Sequence, residues 1–214
     1  MRLSPLPILA TGPWLALALL APAGGSASDS LACPPGSEAR GTPPPDGRKQ
    51  WCERPDGVQH GPSRVWDEAG NKRIEALFDE GILRGTYRTW HANGQLAEES
   101  PFDDDHKHGM YRSWYEDGQP FEERDFRDGK PHGVARQWYE NGQLRFEEYY
   151  AAGVKHGAAS AWFPNGQKQA EGHFEQGQYH GTWKAWSSEG TLLKTTRFEN
   201  GQKVSEEQHA PLED

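Results

Sequence analysis

The 214-residue chain carries 34% hydrophobic residues, a formal net charge of −9, and nine Trp beside eight Phe and seven Tyr. An ordinary globular domain holds roughly 45–50% apolar residues, so burial here must rest on rings rather than on a thick aliphatic core. The acidic charge is interspersed along the chain, which excludes phosphate-tracking nucleic-acid binding by clustered Lys and Arg; binding to anionic membrane surfaces is not expected either.

The chain begins Met1-Arg2, runs through an apolar stretch from Trp14 to Ala21, and reaches small-residue sites at Ala21-Pro22-Ala23 and Gly25-Ser26-Ala27. This pattern predicts a cleavable secretory signal over residues 1–23 and a mature protein in the periplasm or outside the cell. The apolar run falls short of the roughly 20 residues that a spanning helix needs. Leu31-Ala32 before Cys33 leaves a lipid anchor as the lesser alternative. Residues 24–50 are Pro-rich and are expected to be disordered. Cys33 and Cys52 are the two cysteines; in an oxidising compartment they are expected to form a disulfide, with two free thiols as the alternative.

From residue 51 to about 205 a 24-residue period runs through six units without insertion or deletion, preceded by a partial N-terminal strand. Gly61, Gly85, Gly109, Gly133, Gly157 and Gly181 mark it, and Trp66, Trp90, Trp114, Trp138, Trp162 and Trp186 follow five residues after each. A second glycine recurs from Gly70 to Gly190, and an aromatic from Phe78 to Phe198. Two turn signals per unit, about 12 residues apart, leave room for strands and not for useful helices. Residues 206–214 form a tail.

Asn93-Gly94, Asp117-Gly118, Asn141-Gly142 and Asn165-Gly166 predict two-residue type I′ turns. If Asn141-Gly142 is such a loop, Arg136 faces Glu147, and translation places Arg112 opposite Glu123, Arg88 opposite Glu99 and Arg64 opposite Glu75. Four opposite-charge pairs emerge together, which supports the register; a bulged turn is expected to lose them all. The fold class is therefore all-β: an elongated single-layer antiparallel sheet of tandem 24-residue hairpins, twelve strands in all. Alternation puts Trp90 on the face of Arg88 and Glu99, and Tyr87, His91, Leu96 and Phe102 on the other. Pro101 and Pro120 each remove a ladder donor, and local bulges are expected there.

His60, His108, His132, His156 and His180 form a further column. A metal ladder is not expected from it, because positions one hairpin apart are about 9.6 Å apart while zinc ligands lie ~2.0–2.1 Å from the ion; a turn-closing role is expected instead. The run Asp103-Asp104-Asp105-His106-Lys107-His108 reads as a solvated turn. No nucleophile elbow, zinc motif, phosphate loop or dinucleotide fingerprint occurs, so no enzyme and no cofactor are expected. The candidate binding residues are the six Trp of the column with Arg88, Arg112 and Arg136, since Trp and Arg are enriched in binding hot spots. A once-per-repeat Trp is more often a packing spine.

Phe126-Arg127-Asp128-Gly129-Lys130-Pro131-His132-Gly133 and Phe174-Glu175-Gln176-Gly177-Gln178-Tyr179-His180-Gly181 resemble the aromatic-x-x-G-x-x-H-G signature of MORN repeats, as does Tyr150 through Gly157. Trp138-Tyr139-Glu140-Asn141-Gly142-Gln143-Leu144 resembles the bacterial variant found in YwqK-type antitoxin proteins. The resemblance implies a hairpin-repeat scaffold for protein contacts, often the antitoxin of a toxin pair. Three readings of the partner follow: an unidentified envelope or extracellular protein, a dedicated toxin, or a structural role in the envelope.

Overall fold

The computed structural model describes residues 31–209. The predicted signal, over residues 1–23, lies outside them. β1 (Glu38–Thr42) and β2 (Lys49–Glu53) precede the repeats; then come β3 (Gln59–Trp66), β4 (Lys72–Asp79), β5 (Ile82–Leu83), β6 (Gly85–Trp90), β7 (Leu96–Asp103), β8 (His106–Lys107) and β9 (Gly109–Trp114). β10 (Pro120–Arg127), β11 (Lys130–Trp138), β12 (Leu144–Ala151), β13 (Val154–Trp162), β14 (Lys168–Glu175), β15 (Gln178–Trp186), β16 (Leu192–Glu199) and β17 (Gln202–Gln208) complete one open antiparallel sheet of 17 strands. Strands adjacent in sequence pair through short hairpins, except that β5 and β6 both line β4 and β8 and β9 both line β7, each couple forming one interrupted strand. The twelve expected strands are present. β2 stands where the partial N-terminal strand was expected, and the additional ones are β1, β17 and the short β5 and β8, which lead into β6 and β9.

The expected register holds. Arg64↔Glu75, Arg88↔Glu99, Arg112↔Glu123 and Arg136↔Glu147 are all direct partners, and Ser160↔Glu171 and Lys184↔Thr195 continue the column.

The turns that set this register differ from expectation. At Asn141-Gly142 the amide of Gly142 donates to Tyr139 O (2.9 Å) and that of Tyr139 to Gln143 O (2.9 Å). Only the glycine has positive φ, +80°. This is a three-residue loop, a type I turn closed by a glycine bulge, not a type I′ turn. Such a loop shifts the pairing by one residue, yet the shift is undone at once: Trp138 pairs Leu144 while Gln137 pairs Phe146, which leaves Arg145 as an extra residue. The same compensating bulge follows the Trp in each of the six units, with Arg73, Ala97, Phe121, Gln169 and Leu193 extra in the others. Two bulges cancel, and the four charge pairs survive.

The type I′ turns are the other ones. Asp128-Gly129 (φ +49° and +74°) joins Arg127 to Lys130 directly, and Glu80-Gly81, Ala152-Gly153, Gln176-Gly177 and Asn200-Gly201 do the same. Asp104-Asp105 achieves it without glycine. These turns dock on the preceding repeat: Gly129 N donates to Lys107 O (2.9 Å) and Gly153 N to Pro131 O (2.8 Å). A left-handed backbone is therefore held at the cost of a strained non-glycine residue because the next donor is used between repeats.

Irregularities lie at both prolines, as expected, but the fourth unit has the same ones without proline, so the prolines are not their cause. Pro120 sits at the compensating bulge that every unit has. Pro101 lies where the register steps from Phe102↔Lys107 to Glu99↔Arg112, a gap around the positive-φ column glycine Gly109, and its carbonyl accepts from His108 N (3.0 Å). Donors are not needed at either place.

Burial is confined to one face of the repeats. Ser63, Ala76, Ser100, Ser113, Ala135, Ala159, Phe174 and Thr196 are buried, and by alternation they share the face of Tyr87 and Phe102. Size is complementary between strands: Tyr87 stands opposite Ser100, which is 2% exposed, and a Cβ on Gly172 would lie 2.1 Å from the Trp183 ring. Tyr87 and Phe102 meet edge-on at 6.0 Å, Tyr111 and Phe126 at 6.2 Å.

The segment 24–50, expected to be disordered, carries β1, which pairs with β2 from Glu38↔Glu53 to Thr42↔Lys49. The expectation rested on proline content, but the prolines stand outside the strand. Cys33 is disulfide-bonded to Cys52, which is fully buried, and Pro34 packs on Gly61 so closely that a Cβ there would meet its Cδ at 2.5 Å. The described part of this segment thus covers the first repeat. At the other end β17 extends to Gln208, into the expected tail.

Candidate functional site

The Trp column ends the first strand of each hairpin, at the residue pair next to the bulged turn, as in Trp138↔Leu144. All six rings are half-buried, and none belongs to the buried core. The interior is filled by the small residues and Tyr/Phe of the opposite face, so the Trp rings keep accessible area. Lys72 Nζ lies 4.0 Å from the Trp90 ring centroid, a cation held on the ring.

Alternation places Arg88, Arg112 and Arg136 on this same face, and each is occupied within the sheet. Arg88 Nε donates to Glu99 (2.8 Å), Arg112 Nε to Glu123 (3.2 Å) and Arg136 Nε to Glu147 (2.6 Å). Arg64 is held by Glu75 at 3.0 Å. A partner meeting this face encounters tryptophans spaced by an ion-paired ladder, not a row of free cations.

The histidine column lies beside the type I′ turns. His60 Nδ1 accepts from Glu80 N (3.3 Å) and stands 3.3 Å from Asp79; His108 stands 3.3 Å from Asp128, and His180 the same distance from Glu175. The spacing argument missed His173, which pairs directly with His180 and sets its ring 6.4 Å from His180 and 6.3 Å from His156. Among the described residues no group of three or more His, Cys, Asp or Glu is gathered as a metal site. The carboxylates of Asp79, Asp103 and Asp104 converge on Arg84 instead.

At the bulged-turn end of the third unit lies an open cleft of about 450 Å³ that the columns did not reveal, lined by His91, Trp114, Tyr115, Phe121 and the acidic Glu116, Asp117 and Glu140. Phe121 is the extra residue of the compensating bulge and packs edge-on to Tyr115 at 5.0 Å. The Tyr115 hydroxyl donates to Trp138 O (2.7 Å), and His91 Nε2 lies 2.9 Å from Trp114 O, so both rings are locked to the next repeat. Burial, and then the Glu140 carboxylate, raises the Tyr115 phenol above its ordinary pKa; Arg145 opposes and Asp117 adds to the rise. Spacing alone did not flag this site, because both of its columns vary: Asp117 stands between Asn93 and Asn141 in a column that also holds Ala69 and Glu189, and Phe121 replaces residues as different as Arg73, Ala97, Arg145 and Leu193.

Hairpins in one phase that dock turn on turn define an all-β repeat protein. The chain is similar to the MORN repeat variant, whose model matches four segments, residues 83–104, 107–128, 131–152 and 155–176; these findings support a MORN repeat protein. Repeats of this kind are generally protein-binding or membrane-associating motifs. The units around Gly61 and Gly181 carry the same columns outside the matched segments. No curated protein matches the chain.

Proposed function

We propose that the chain is an exported, non-enzymatic scaffold that binds another protein through its repeat sheet. The observation that carries this reading is the Trp column: six rings in one register, half-buried with accessible area left on each, in a chain whose fully buried residues lie on the other face. Large rings with one accessible edge are what interface hot spots are made of. Export is supported by the N-terminal pattern and by the Cys33–Cys52 disulfide, a bond that persists in oxidising compartments.

A photo-crosslinking residue at Trp138 or Trp162, compared with one at Tyr150 or Tyr179 on the other face, tests the reading in envelope and extracellular fractions. One discrete partner captured from the Trp positions supports it, and no adduct from either face overturns it. A captured partner that is a toxin, neutralised by the chain, makes the protein an antitoxin or immunity protein; adducts with cell-wall components alone make it a structural element.

A further inference from the structure

We propose that the cleft beside Trp114 seats a basic side chain, lysine or arginine, of a partner polypeptide; this rests on the protein-binding reading above. Its walls are the rings of Trp114, Tyr115 and Phe121, and its rim carries Glu116, Asp117 and Glu140. A cation over aromatic faces gains from the ring quadrupole, and nearby carboxylates supply the counter-charge. Among the described residues none of these three carboxylates is ion-paired, whereas those of the central ladder are. Arg145 of the next unit is held by Gln137 (3.0 Å) over the Tyr139 ring (5.6 Å).

Comparison between units strengthens the case. In the fourth unit the ring of Tyr139 already carries a cation, Arg145, from the extra bulge position. In the third unit that position is Phe121, so the equivalent place beside Tyr115 gains a wall and loses its own cation. Asp117 acts in the same sense when set against the units around it. Asn93, Asn141 and Asn165 each accept from the amide two residues on and donate through Nδ2 to a carbonyl of the next unit, Glu116 O (2.5 Å), Pro164 O (2.7 Å) and Ser188 O (2.8 Å). Asp117 keeps the first bond, from Gln119 N (2.9 Å), but a carboxylate cannot make the second. Relative to the units on either side, the third unit lacks this inter-repeat hydrogen bond and carries a negative charge at the cleft.

Asp117→Asn is the safest variant, because it introduces the residue of the second, fourth and fifth units and is expected to fold at least as well as the wild type. Hexa-arginine is titrated into the full chain, with hexa-glutamate as the reverse-charge probe, and binding is followed by calorimetry. We expect the Asp117→Asn/Glu140→Gln variant to bind hexa-arginine about tenfold more weakly, while Asp46→Asn/Glu207→Gln, which removes the same charge elsewhere, changes it less than about twofold. Phe121→Arg, which copies the fourth unit, is expected to block the cleft. Equal losses in the two charge variants, or no binding of hexa-arginine by the wild type, overturn the inference. The scaffold reading fails separately, by the absence of crosslinks from both sheet faces.

Discussion

Arg136 Nε donates to Glu147 Oε2 at 2.6 Å across β11 and β12, and the same bond recurs one period earlier between Arg112 and Glu123 at 3.2 Å. The arginine side chains are 37% and 44% exposed, and exposed pairs contribute only about 0–1 kcal/mol each. The Arg112→Ala/Arg136→Ala variant is therefore expected to melt within a few degrees of the wild type. If it also keeps full affinity for a partner captured at the Trp positions, the ladder is not part of the interface, and the face of Tyr87 and Phe102 becomes the better candidate.

Trp138→Ala is expected to destabilise by about 2–3 kcal/mol, below the roughly 3–5 kcal/mol of a fully buried ring, since Trp138 retains exposed area. Ala135, three residues earlier on the other face, has no exposed area. Ala135→Leu is expected to cost about 1–3 kcal/mol by overpacking. Urea denaturation of the two variants measures both, and a neutral Ala135→Leu would place the core elsewhere.

Gly157 has φ +116° and a Cβ there would lie 3.1 Å from Tyr149 Cβ, whereas Gly94 has φ +85° and open space around it. Both glycines are forced by the backbone, but only one is also crowded. Gly94→Ala is expected to cost about 1–2 kcal/mol, the ordinary left-handed penalty, and Gly157→Ala more. Thermal melts that rank them in the opposite order would contradict the close approach of Tyr149 at Gly157.

Asn165 Nδ2 donates to Ser188 O at 2.8 Å, a bond between consecutive units. Asn165→Asp removes the donor and leaves the rest of the side chain in shape, so a loss of about 1 kcal/mol is expected. Hydrogen exchange should report the loss locally, in the amides of the Asn165 turn and of the turn one unit later.

The Cys33–Cys52 bond closes a loop with a sequence separation of 19 and ties β1 to the start of the sheet. Chain-entropy estimates for a loop near this size give about 3 kcal/mol. Reduction is expected to lower the melting temperature and to open the stretch from Cys33 to Arg48 to proteolysis before the repeats are cut. Simultaneous digestion of both would show that β1 and the repeats unfold as one unit.

Much of the architecture was legible in the residues. The 24-residue period, the Arg–Glu partners and the division of rings between two faces follow from spacing alone, because strand alternation and pairing are set by position along the chain. The two turn types were exchanged, however. Asn-Gly suits both a type I′ turn and the last two positions of a bulged type I loop, and a second bulge at Arg145 restores the pairing that would have told them apart. Two opposite register shifts leave the distant charge pairs unchanged, so the pairs carry no information on the turn between them.

The sequence by itself determined the repeat, the strand register and the candidate Trp and Arg columns, since each is a matter of spacing within the chain. Tertiary structure alone decided which face is buried, because burial depends on what the next strand offers: Ser100 disappears beneath its neighbours while Trp90 stays half-open. It also decided that the stretch before the repeats forms β1, through pairing with β2 and a bond to Cys52. The cleft belongs to the same category. Its walls come from the turn of one unit, the bulge of the same unit and Glu140 of the next, and only the stacking of hairpins, turn against turn, brings them to one place.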